Sequence, residues 1–421
     1  MSLAVTGAVL AGQPVGLRAQ EGLIVELGPG VEARPEDEAL DAAGAILVPP
    51  LINGHTHAAM TLFRGHGDDL PLMRWLREKI WPVERRLEPE DVYWGTRLAC
   101  LEMVRSGTVR FWDMYWHPQA AARAVKDAGI RATVAAPLID VEGGGEEMRE
   151  AALRGLDELA ESNTCERIDV GLAPHAIYTV TEESLRWIAE LTSERGLPVQ
   201  IHLSETEQEV IDCVAAHGAR PAHYLDRVGL LTPRTVLAHG VWLDDRELEL
   251  IAARGAVLVT NPVANLKLAV GGAFPYPRAR AAGAQVGLGT DGPGSNNSLD
   301  LFADMKTFAL LQKHEARDPA VISAEETWEI ATGRRAPLLG AAHGLELGEP
   351  ADFLLLRAGA PELGFGELPA ALVYAASGAV VQTTVVAGRV VMRDGRVEDS
   401  EEVLARALER ARRLGLASAL A

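Results

Sequence analysis

The chain has 421 residues, 48% of them hydrophobic, with 40 Lys and Arg against 59 Asp and Glu, a formal net charge of −19. That apolar content supports a large core and excludes a disordered chain, while the acidic balance argues against nucleic acid or an anionic membrane surface as partner. No apolar run approaches the ~20 residues of a transmembrane helix. The first residues lack the basic stretch of a signal peptide. Cys100, Cys165 and Cys213 form no Cys-x-x-Cys pair and suit a reduced compartment, so a cytoplasmic location is expected.

In chain order, residues 1–48 hold short β-like pieces separated by Gly turns, such as Leu23–Leu27. Eight short aliphatic runs follow: Ile46–Ile52, Gly107–Tyr115, Arg131–Ile139, Ile168–Pro174, Pro198–Leu203, Thr235–His239, Ala256–Thr260 and Gln285–Gly289. Segments of helical spacing separate them, among them Val92–Arg105, Glu182–Arg195 and Asp245–Arg254. Strands alternating with helices imply a parallel sheet, and eight such units imply a (β/α)₈ barrel, here over 49–344. A doubly wound open sheet is the competitor, but it does not explain polar residues recurring at the strand C-termini. Residues 345–397 return to β-like pieces, at Asp352–Leu356, Gln382–Ala387 and Val390–Met392. With 1–48 they are expected to form one small β-sandwich domain built from both chain ends. Residues 398–421 carry an amphipathic closing helix over Glu401–Leu416.

The chemistry-bearing residues stand at the ends of the runs. His55-Thr56-His57 closes the first, and in a strand residues i and i+2 face one side, roughly 7 Å apart. His202 ends the fifth run, His239 the sixth, and Asp291 follows the eighth. Barrel strand C-termini converge on one face, where active sites are built. Imidazoles with a carboxylate suit zinc or ferrous iron better than calcium or magnesium. Such an ion lowers the pKa of a bound water towards ~7.

Each piece has a plainer reading. His202 and His239 taken singly suit hydrogen-bonded core histidines. Asp291 before Gly292 suits a turn. Glu205 suits a helix N-terminus, with Ser204 as its cap. Five independent coincidences in barrel order are needed to sustain them together, and the metal reading is favoured. His175, after the fourth run, also faces the open end. His66, His117, His217, His223, His314 and His343 read as surface or packing residues.

Five motifs resemble the amidohydrolase superfamily, and within it the 5′-methylthioadenosine/S-adenosylhomocysteine deaminases. They are Pro50-Leu-Ile-Asn-Gly-His-Thr-His57, Asp68-Asp-Leu-Pro-Leu-Met-Arg-Trp-Leu76, Ile80-Trp-Pro-Val-Glu84, His202-Leu-Ser-Glu205, and Gly289-Thr-Asp-Gly292 running on to Ser295-Asn-Asn-Ser-Leu-Asp300. Several of them also occur in related triazine hydrolases. The resemblance implies one zinc ion per chain, with iron an alternative, held by His55, His57, His202 and Asp291. It implies Glu205 as proton shuttle, His239 as the residue that orients or deprotonates water, and Asp291 as a proton acceptor. Glu84 would bind ribose hydroxyls, His175 would contact substrate, and Trp75 would line the pocket. The partner implied is a small nucleoside, and a homo-oligomer is compatible with it.

One departure concerns specificity. Family members that take S-adenosylhomocysteine carry an arginine after strand 3, where this chain reads Ala135-Ala136-Pro137-Leu138. Arg149, in the following loop, is the candidate replacement. The fourth run ends in Pro174-His175, without the lysine of two-metal members, which favours one metal and deamination. The expected activity is hydrolytic deamination of 5′-methylthioadenosine or adenosine, with S-adenosylhomocysteine a poorer substrate. The alternatives are hydrolysis of an amino- or chloro-triazine or a guanine-type heterocycle, and a barrel retained only for binding.

Overall fold

Pro49 and Pro50 divide the first apolar run. In the computed structural model, which describes residues 2–162, 165–340 and 345–418, Ile46–Val48 pairs with strands from both chain ends. The barrel begins only at Leu51. Proline has no N–H to donate, so one ladder does not continue through two of them. The single strand expected over Ile46–Ile52 is therefore two strands in two sheets. His343 lies outside the described residues.

The barrel sheet is parallel and keeps sequence order throughout. Its strands are β1 (Leu51–Thr56), β2 (Thr108–Met114), β3 (Arg131–Leu138), β4 (Ile168–Pro174), β5 (Val199–Leu203), β6 (Thr235–His239), β7 (Val257–Thr260) and β8 (Gln285–Leu288). The helices expected between them lie at Pro89–Arg105, Glu182–Arg195 and Asp245–Arg254. Thr181 caps the second, and Asp244 with Glu247 forms a capping box on the third. The first and last strands meet at their C-terminal ends. Asp291 N–H donates to His55 O at 3.0 Å, the Thr56 hydroxyl to Asp291 O at 2.9 Å, and the Asn53 amide to the Thr290 hydroxyl at 2.7 Å. Inside the barrel, Ile52, Trp112, Val236, Val257 and Val259 pack with Ala336 and Leu339. This apolar plug lies below the histidines and leaves the opposite end for polar side chains.

The chain ends form a separate mixed sheet. Its order is Arg389–Met392, Val381–Val386, Phe353–Leu356, Ile46–Val48, Ser2–Leu10, Gln13–Gln20 and Leu23–Gly28, with Glu38–Asp41 also on Ser2–Leu10. Phe353 and Leu355 join the sheet's own core, while Leu354 and Leu356 join the large core shared with the barrel. A strand buried on both faces has no polar alternation, which is why Phe353–Leu356 reads as an unbroken apolar run. The closing helix, Ser400–Leu414, buries Val403, Ala407, Ala411 and Leu414. It packs on Pro89–Arg105, and Arg413 reaches Glu88 and Asp91 there.

Candidate metal and active site

Four strand ends bring their side chains to one point. His55 Nε2 lies 3.2 Å from His202 Nε2 and 3.3 Å from Asp291 Oδ1, and His57 Nε2 lies 3.1 Å from the same oxygen. His55, His202, His239 and Asp291 are all buried, with ligand atoms within 4.8 Å of one another. Ligands held about 2.0–2.1 Å from a tetrahedral zinc ion stand roughly 3.3 Å apart. The three separations match that spacing, and His57, which is outside the four-residue cluster that includes His239, still places its Nε2 3.1 Å from Asp291 Oδ1.

Second contacts aim these atoms. His57 Nδ1 bonds Met114 O at 2.6 Å, and His202 Nδ1 bonds His175 O at 2.7 Å. A backbone acceptor fixes Nδ1 as the protonated nitrogen and leaves Nε2 facing inward. The Ser295 hydroxyl donates to Asp291 Oδ2 at 2.5 Å. Asp291 Oδ1 has no directed hydrogen bond among the described residues, and its lone pairs face the gap. Burial pushes the His55 imidazole down to about 4, and burial with neighbouring imidazoles holds His202 well below its ordinary value. Both are therefore neutral, as a ligand must be. His57 goes the other way. Burial opposes its charge, but the Asp291 carboxylate raises it to about 9. A proton on His57 balances that carboxylate, and a cation between the residues would displace it.

Gly289 lets β8 reach this point. A Cβ there would lie 2.9 Å from His55 O and would also overlap the Asn261 side chain. Asp291 itself has φ +60°, as His239 has +75°. Non-glycine residues rarely adopt this left-handed conformation, and such strain collects at functional sites.

Glu205 and His239 complete the centre without joining the closest contacts. Glu205 is buried, with Oε2 3.9 Å from His239 Nε2. Burial raises its carboxyl to about 8, with Asp291 adding to the effect. Its backbone is pinned by Glu209, whose Oε1 accepts Ser204 N–H at 2.8 Å and whose Oε2 accepts Glu205 N–H at 2.9 Å. Ser204 is not the helix cap. Thr206 is, accepting Glu209 N–H, while Ser204 has φ +50° and a buried hydroxyl without a hydrogen-bond partner among the described residues. His239 Nδ1 sits 2.8 Å from Asn265 Oδ1.

A cavity opens over these residues. His57, His175, His202, Glu205, His239 and Asp291 form its floor, and Trp75, Trp81, Glu84, Tyr115 and Tyr178 are among its walls. Burial raises the Glu84 carboxyl above its ordinary range. His175 is held by Thr179 at 2.9 Å. An outer cleft of about 790 Å³ continues past Trp81, Glu84, Trp116, Pro137 and Ile139. Its ionisable lining includes four acids, Glu84, Asp140, Glu142 and Glu158, against two arginines, Arg85 and Arg154. Arg149 lies on the helix Gly145–Ser162 rather than in a loop, and it lines neither space: its guanidinium donates to Glu183 at 2.8 Å and to Ser184 at 3.1 Å.

Sequence reasoning missed Asn265, Glu209 and the bond from Ser295 to Asp291. Thr206-Glu-Gln-Glu209 has the capping-box pattern, which signals a carboxylate folded back on backbone but not onto which residues.

A sequence profile of the amidohydrolase family matches residues 46–391. The chain is 48% identical over 402 residues to a 5′-deoxyadenosine deaminase of Methanoregula boonei, covering 94% of this chain and 90% of that protein. It is 42% identical over 406 residues to a 5-methylthioadenosine/S-adenosylhomocysteine deaminase of Desulforudis audaxviator, covering 94% of each. An adenosine deaminase structure from Xanthomonas campestris with bound zinc superposes with a TM-score of 0.90 at 33% identity, covering 98% of both chains. An atrazine chlorohydrolase structure from Arthrobacter aurescens superposes at 0.88 with 20% identity, covering 97% of this chain and all of that one, a likeness of fold alone. No helix among the described residues is long and apolar enough to cross a membrane.

Proposed function

The chain belongs to the amidohydrolase family, and on that premise we propose that it is a metal-dependent hydrolytic deaminase of adenosine-type nucleosides. The reaction is nucleoside plus water to the inosine analogue plus ammonia. The observation that carries this reading is the pairing of an ion-sized gap among His55, His57, His202 and Asp291 with Glu205 and His239 beside it. Zinc is the ion proposed, one per chain. When bound it supplies a water that ionises near neutral pH.

The chain's own residues supply the rest. Glu205, buried and protonated, gives its proton to the ring nitrogen next to the amino-bearing carbon and so makes that carbon electrophilic. His239, oriented by Asn265, aligns the attacking water, and Asp291 takes its proton. The carbon–oxygen bond forms, the proton on Asp291 passes to the amino group, the carbon–nitrogen bond breaks and ammonia leaves, while the new hydroxyl returns its proton to the Glu205 carboxylate and the ring nitrogen keeps the proton it received. Glu84 accepts hydrogen bonds from the ribose hydroxyls, His175 contacts the base, and Trp75 packs against it.

The 5′ end of the preferred substrate carries no charge: 5′-deoxyadenosine, 5′-methylthioadenosine or adenosine. An excess of acids along the outer cleft and the engagement of Arg149 with Glu183 and Ser184 support this. Of the two arginines in that cleft, Arg154 is already paired with Glu150, so a tail carboxylate that enters it loses solvation with little compensating charge. The test is ammonia release from these nucleosides, S-adenosylhomocysteine and an aminotriazine, with elemental analysis of the same protein. Turnover of the uncharged nucleosides with about one zinc per chain is expected. Turnover of the triazine alone, or two ions per chain, refutes the proposal.

A further inference from the structure

Lys267 stands outside the residues described so far, at the end of the short helix Pro262–Lys267. Its ammonium donates to Asp68 Oδ1 at 2.7 Å, to Asn297 Oδ1 at 3.0 Å and to Gly294 O at 3.2 Å. An ammonium has three donors, and each here has an acceptor on a different residue. The Asn297 amide closes the ring by donating to Asp68 Oδ2 at 2.9 Å. Asp68 and Lys267 are only part-exposed, and Asn297 has φ +73°.

This ring joins three segments that shape the cavity. Asp68 begins the stretch that runs into the helical pieces Leu72–Trp75, Leu76–Ile80 and Trp81–Glu84. That stretch roofs the cavity through Leu72, Trp75, Leu76, Ile80, Trp81 and Glu84. Gly294 and Asn297 lie in the loop after β8, next to Ser295, which holds Asp291. The helix ending at Lys267 also carries Asn265, which holds His239. Trp75 packs directly on Gly294, where a Cβ would lie 3.1 Å from its indole. The middle piece of the roof, Leu76–Ile80, is a π-helix, a rare form that is frequent at functional sites.

We propose that Lys267 is the positioning residue that clamps the Asp68–Glu84 roof onto the loop after β8, so that Trp75 and Glu84 meet the substrate at a fixed distance from Asp291 and His239. The proposal builds on the deaminase reading, because it assigns the roof to substrate positioning, but the clamp is observable without substrate. Lys267→Met keeps the length of the side chain and removes its three donors. Lys267→Arg keeps the charge and several donors.

Hydrogen exchange of the zinc-loaded protein, without substrate, is the first measurement. Lys267→Met is expected to speed amide exchange within residues 68–84 by roughly tenfold or more, through local opening, and to leave β1 and β8 unchanged. Lys267→Arg is expected to recover most of the protection. Steady-state kinetics with 5′-deoxyadenosine and 5′-methylthioadenosine is the second. Here kcat/KM is expected to fall about 10–100-fold in Lys267→Met, chiefly through KM, since misplacement of about 1 Å costs that order, while zinc content stays that of the wild type. Unchanged exchange in 68–84, or loosening spread across the barrel with loss of zinc, overturns the clamp. If neither nucleoside is turned over by the wild type, the deaminase reading fails, while the exchange result still decides the clamp.

Discussion

Replacing Glu205 by Gln separates proton transfer from every other role of that position. The side chain is buried and 3.9 Å from the nearest imidazole nitrogen, outside the 3.1–3.3 Å contacts of the ion-sized gap. An amide of the same shape therefore leaves the gap intact. With burial raising its carboxyl to about 8, Glu205 is mostly protonated at pH 7 without an ion, so the wild type already accommodates a neutral group there. The variant is expected to fold, to keep about one zinc per chain, and to hold a KM within a few-fold of the wild type. What it lacks is a transferable proton. General acid–base groups contribute about 10²–10⁴-fold, so kcat is expected to fall by that order, roughly 2.7–5.5 kcal/mol of barrier. Ammonia release at saturating 5′-methylthioadenosine, with zinc measured on the same samples, is the assay. Turnover within threefold of the wild type, with zinc retained, refutes the assignment of Glu205.

Three further outcomes follow from particular contacts. Arg149→Ala is expected to leave the ratio of kcat/KM for 5′-methylthioadenosine and S-adenosylhomocysteine within about threefold, because a charge-assisted bond to the substrate carboxylate would contribute roughly 1.5–3 kcal/mol and Arg149 is engaged with Glu183 and Ser184; a tenfold fall for the latter substrate alone assigns Arg149 to the tail. Gly289→Ala is expected to cost about 1–3 kcal/mol in denaturant unfolding through overpacking and to lose zinc as well, since the added methyl meets His55 O at 2.9 Å; wild-type zinc content refutes this. Burial raises the Asp304 carboxyl to about 8 from 3.8, so the folded state holds more protons than the unfolded chain between those values and this group's contribution to stability declines as pH rises through that window. Asp304→Asn removes the titration, so its Tm relative to the wild type is expected to climb from pH 5 to pH 9; a constant difference refutes the shift.

The residue types at the strand ends were legible in the sequence because strand geometry and barrel topology leave them little freedom. Eight aliphatic runs alternating with helical segments demand a parallel sheet, and a closed parallel sheet puts every C-terminus on one face. His55, His57, His202, His239 and Asp291 could therefore be grouped before any distance was known, and the structure sets three pairs among His55, His57, His202 and Asp291 at 3.1–3.3 Å, with His239 beside them. Even the split of the first run had a local cause, Pro49-Pro50, that spacing alone understated. The structure decided what depends on side chains far apart in the chain and on backbone bonds that no periodicity reports. Arg149 has the right charge near the right strand, yet its guanidinium lies with Glu183 and Ser184, because a helix surface offers several directions and only packing selects one. Glu209 stands in a helix's first turn, where sequence gives its carboxylate no particular partner, and its two oxygens hold the backbone of Ser204 and Glu205. Lys267 is 199 residues from Asp68, and only the closed barrel brings that pair within 2.7 Å. Local pattern determines which element a residue occupies and which face it shares, whereas the partner of a long polar side chain is set by whatever the completed fold places within its reach.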